Sequence, residues 1–126
     1  MTETAPQPPS AEAELGRMCS SLHLDAPVVR RFIADYLRLL EGRLQRIEDH
    51  LRTGDTASAT VVLLSLATSS AMLGACGVAE AADQLRSRTD GDDPTTVFQH
   101  LHRLVEQAGR ARRWLAGILA HGPDAA

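Results

Sequence analysis

Lysine is absent from this chain: all 13 basic residues are arginines. Chemistry that needs a lysine amine, such as Schiff-base formation, is therefore excluded. The simplest reading of that bias is a GC-rich genome. Aromatic residues make up only 3 % of the sequence, against 44 % hydrophobic residues overall. A core must then come from Leu, Val, Ile and Ala, a set that favours helices over a sheet. Only two cysteines occur, Cys19 and Cys76, with no Cys-x-x-Cys or Cys/His ligand spacing. They read as reduced thiols packed as small hydrophobes, and no metal site is expected.

Charge of one sign is also missing. The net charge is -3, with acidic and basic residues interspersed. That pattern makes neither a basic nucleic-acid surface nor a polybasic membrane anchor. The first residues are acidic and proline-bearing, unlike a secretory leader. The longest apolar stretch, Val61 to Cys76, is interrupted by Ser65, Thr68, Ser69 and Ser70, which argues against a membrane span. A cytoplasmic protein is expected, with no nucleic-acid or membrane partner and no cofactor.

What is present is helical periodicity. At 126 residues the chain suits one domain. Residues 1–10, with Pro6, Pro8 and Pro9, read as a disordered arm, residues 11–121 as a helical bundle and 122–126 as a tail. Ser10 is a candidate cap for a short helix over Ala11 to Leu22. Asp25 and Pro27 open a long helix whose apolar stripe is Val29, Phe32, Ile33, Tyr36, Leu37, Leu40, Leu44, Ile47 and Leu51. Thr53-Gly54-Asp55 ends it and starts a third helix, Thr56 to Leu73, whose apolar residues nearly encircle it. Gly77 is expected to separate this from a fourth helix over Val78 to Arg88. Thr89 to Pro94 is a loop, and a last helix spans Thr95 to Ala120. The expected fold is all-α: an antiparallel four-helix bundle with a short additional N-terminal helix.

The order of these pieces resembles the histidine-phosphotransfer (HPt) domain family over about Phe32 to Leu119. The resemblance rests on Gly54-Asp55, Ala59, Leu66, Ser69, Ser70 and Leu73-Gly74-Ala75, followed by Val78, Ala82 and Leu85. The family motif is approximately His-x-Leu-Lys-Gly-Ser, closed by a glycine ten positions beyond the histidine. Counting back from Gly74 puts Leu64 at the histidine, Ala67 at the lysine and Thr68 at the glycine, while Leu66 and Ser69 match. Nucleophile, positive charge and space would be lost together. The resemblance thus implies a pseudo-HPt domain with no catalytic residue.

In active members of that family the histidine projects outward. Leu64, Ala67, Thr68 and Ala71, three and four apart, are then expected to share the outward face as an apolar partner-binding strip. Alternatively, the short first helix, through Leu15, Met18 and Leu22, folds over Leu64. None of the five histidines offers a replacement site: His50 ends a helix, and His23 and His121 lie at helix ends. His100 and His102 are two apart, too divergent to share a metal. Trp114, beside Arg110, Arg112 and Arg113, either closes the end of the bundle or marks a patch for an acidic partner.

Two functions follow. One is a non-catalytic signalling module that binds a receiver domain or histidine kinase and modulates a phosphorelay without carrying phosphate. The other is a structural or homodimerising bundle with its seam at Leu64. No Ser/His/Asp set, phosphate-binding loop or carboxylate pair suggests an enzyme.

Overall fold

Ser10, Asp55 and Asp93 each place a side-chain oxygen where the first turn of a helix needs an acceptor. The Ala13 amide donates to Ser10 Oγ (3.1 Å), the Ser58 amide to Asp55 Oδ1 (3.1 Å) and the Thr96 amide to Asp93 Oδ1 (2.7 Å). These bonds satisfy amides that the helix itself leaves unpaired. The computed structural model describes residues 10–121. They form α1 (Ala11–Leu22), α2 (Ala26–Arg52), α3 (Thr56–Leu73), α4 (Cys76–Arg88) and α5 (Pro94–Ala120). Ser10 belongs to the α1 cap; the rest of the expected arm (1–9) and the tail (122–126) lie outside the described residues.

The first three helices end the same way. After α2, Gly54 takes φ +76° while the Gly54 and Asp55 amides donate back to Leu51 and His50 carbonyls. After α3, Gly74 takes φ +82° with the matching bonds to Ala71 and Ser70. After α1 the left-handed position falls to His23, at φ +56°, and the Leu24 amide reaches Cys19. Each closure satisfies terminal carbonyls and turns the chain sharply. Because Gly74 and Ala75 complete the turn by themselves, α4 starts at Cys76 and Gly77 lies inside the helix, not between helices as expected.

The helices pack as a bundle. α3 lies against α2 and α4, α4 against α5, and α5 against α2, which closes a four-membered ring. Long-range contacts show α2 and α5 to be antiparallel: Arg30, near the start of α2, donates to the Leu119 carbonyl (2.8 Å). At the opposite end the Arg52 guanidinium sits over the Phe98 ring, 5.2 Å from its centre. The core follows the apolar stripes, with Val29, Ile33, Leu40 and Ile47 of α2 facing Leu63, Leu66 and Leu73 of α3 and Leu85, Leu104 and Leu115 beyond. α1 packs on α2 and α5 and buries Met18.

Candidate partner-binding face

From Thr56 to Ala75 the chain has no charged residue and no histidine. α3 is also long and apolar enough, by length and composition, to cross a membrane. In this fold one side of it is core: Ala59, Leu63, Leu66, Ser70 and Leu73 are buried. The other side faces outward, and there Leu64 is 45 % exposed, Val61 67 % and Met72 42 %. Thr68 and Ala71 are exposed with them.

Three of the four residues expected on this face are therefore together: Leu64, Thr68 and Ala71. Ala67 is not among them, being only 8 % exposed. The correction follows from packing. At roughly 100° per residue Ala67 stands at the edge of the outward arc, about 40° beyond Ala71, and there it is covered as part of the core cluster. Spacings of three and four made it a neighbour of Leu64 and Ala71, but not a member of the outward row.

Two of the three hydroxyls on this side are turned inward to the helix, while Ser65 is exposed beside Leu64. Thr68 Oγ1 donates to the Leu64 carbonyl (2.9 Å) and Ser69 Oγ to the Ser65 carbonyl (3.0 Å). With its proton so used, Thr68 shows solvent a methyl group and an acceptor, but no donor. The strip is thus largely apolar, carries no charge and holds no histidine.

The first helix does not cover Leu64. α1 lies on α2 and α5, and it reaches α3 only around Ala71, Met72, Leu73 and Gly74, which line a cavity with Glu14, Met18 and Trp114. The Trp114 indole N–H donates to the Glu14 carboxylate, and the half-buried ring lies 3.9 Å from where a Cβ on Gly74 would stand. Arg110, Arg112 and Arg113 stay exposed. Trp114 is the tie between α1 and the bundle end.

The histidines are dispersed. His50 Nδ1 lies 3.8 Å from Asp55 Oδ2, His102 Nε2 lies 3.1 Å from Glu106, and His121 Nδ1 lies 2.8 Å from the Gly117 carbonyl. Among the described residues no group of His, Cys, Asp and Glu is placed to hold a metal ion. Cys19 is half-buried and Cys76 exposed, both as free thiols.

Two features escaped the sequence. Val61 and Met72 extend the strip at each end, Val61 three residues before Leu64 and Met72 four after Thr68. The second is polar: buried Tyr36 pairs with Ser70 across the α2–α3 seam, and Arg43 reaches Ser69 beside it. Burial pushes the Tyr36 phenol above its usual pKa, against the opposing pull of the Ser70 bond and the Arg43 charge. No signal in the sequence pairs residues 34 positions apart. The chain matches no protein family, no curated protein and no solved structure.

Proposed function

We propose that this chain is a non-catalytic, HPt-like module that docks on a receiver domain or a histidine kinase of the cytoplasm. It modulates the phosphorelay without carrying phosphate. The observation that carries this reading is the outward face of α3, where Leu64 stands exposed at the position the family resemblance gives to the phospho-accepting histidine. Leucine has no nucleophilic atom, and α3 holds no histidine within the strip. An exposed row of Val61, Leu64 and Met72 with small Thr68 and Ala71 between them suits contact with an apolar protein surface.

The test is phosphoryl transfer. Phosphorylated receiver domains from the host should bind the protein, transfer no label to it, and lose binding when Leu64→Asp is introduced. Stable label on the wild-type protein, or a pull-down in which no receiver or kinase is enriched, overturns the reading. A second reading is favoured by the 67 % exposure of Val61: the same strip forms the seam of a homodimer. Light scattering separates the two, because a monomer at high micromolar concentration removes the seam.

A further inference from the structure

Beside the strip, α2 and α3 enclose a groove of about 140 Å³ lined by Phe32, Asp35, Tyr36, Leu39, Arg43 and Ser69. Its two charged side chains are in different situations. Asp35 is engaged by Arg38 at 3.3 Å. Arg43, half-buried at the groove, has no carboxylate within ion-pair distance among the described residues. Its polar contact there is one long hydrogen bond, 3.5 Å, to Ser69 Oγ.

We propose that this groove is a carboxylate-binding site, with the Arg43 guanidinium receiving a glutamate side chain from a docked protein segment. A guanidinium carries five N–H donors in a flat fork, and a carboxylate meets two of them at once. The long Ser69 bond leaves that fork largely unused. Ser69 cannot supply another donor, since its proton goes to the Ser65 carbonyl. One fork suits the two oxygens of a carboxylate; a phosphate dianion would leave oxygens unmet and, with its greater charge, would be repelled more strongly than a carboxylate by Asp35 in the same wall. Phe32 and Leu39 give the methylenes of a glutamate an apolar wall, with Leu39 39 % exposed. The site stands on the groove alone, whatever binds the Leu64 strip.

The experiment is an NMR titration of the full chain that follows the Arg43 Nε–Hε and Ser69 amide signals. The probes are blocked tripeptides, Leu-Glu-Leu and Leu-Gln-Leu, and inorganic phosphate. The glutamate peptide is expected to shift both signals saturably, about tenfold more tightly than its glutamine counterpart. Arg43→Gln should abolish the difference and Arg43→Lys, which keeps charge without the fork, should recover part of it. Unchanged methyl signals of the buried Leu104 and Leu115, away from the groove, report that each variant is folded. Leu64→Asp should leave the peptide response intact, so that failure of the docking strip and failure of this site are read separately. Equal response to the two peptides, an undiminished response in Arg43→Gln, stronger binding of phosphate, or shifts centred on Arg110, Arg112 and Arg113 overturns the proposal.

Discussion

The Tyr36 hydroxyl and Ser70 Oγ lie 2.7 Å apart inside the bundle, joining α2 to α3 by a buried hydrogen bond. Ser70 is fully buried, the polar exception on the core face of α3. Removing one partner strands the other without water. Ser70→Ala should cost about 1–3 kcal/mol. Tyr36→Phe should cost less, since a serine hydroxyl can turn to a carbonyl of its own helix. The double variant should lie nearer to wild type than the sum of the singles. Urea unfolding with unchanged slope is the measurement, and strict additivity would show that the bond does not couple the two residues.

The two glycines around the α3–α4 turn should respond oppositely to alanine. Gly74 holds φ +82°, so Gly74→Ala should destabilise by about 1 kcal/mol. Gly77 is helical, and an added Cβ would meet the Gln107 side chain at its flexible amide end. Gln107 can swing away, so Gly77→Ala should be near neutral or stabilising by up to about 1 kcal/mol. Thermal unfolding of the two variants gives the sign of each.

His23 occupies the left-handed position that ends α1, which glycine takes at the corresponding turns after α2 and α3. His23→Gly should relieve that strain and secure α1 more firmly, slowing amide exchange from Ala11 to Leu22. Glu14→Ala should do the reverse, freeing the Trp114 indole N–H and shifting its fluorescence to the red. Unchanged emission would show that α1 is held by Met18 and its apolar neighbours alone.

Asp55 and Asp93 both have carboxyl pKa values below the usual range because their oxygens accept hydrogen bonds from the first turns of α3 and α5, at Ser58 and Thr96 respectively. A pKa lowered by folding contributes stability that is present above the unfolded value of 3.8 and is lost as pH falls through the folded value. Stability should therefore decline on acidification below about pH 4. Asp93→Asn keeps a capping oxygen but removes its titration, so the acid limb should flatten. Thermal midpoints between pH 2 and pH 6 test this.

Leu64→Asp and Leu64→His should fold as the wild type, within about 0.5 kcal/mol, because the side chain is exposed. A large loss of stability in the monomer would mean that Leu64 is covered in solution.

The sequence determined the helices of this protein almost to the residue. Capping oxygens at Ser10 and Asp55 and glycines 54 and 74 act within a few residues of themselves, so they can be read one segment at a time. The stripe of α2 was legible for the same reason: its period states which side is buried. α3 was not legible in this way, since apolar residues occur on nearly all its sides and periodicity cannot say which of them meet solvent. Only the packing of α2 and α4 against it decided that Ala67 goes inward while Val61, Leu64 and Met72 stay out. Tertiary structure likewise decided that α1 docks on α2 and α5 through Met18 and Trp114, and it set Tyr36 against Ser70 and Arg43 beside Ser69. Those pairings depend on how helices distant in sequence lie in register, which no local rule contains.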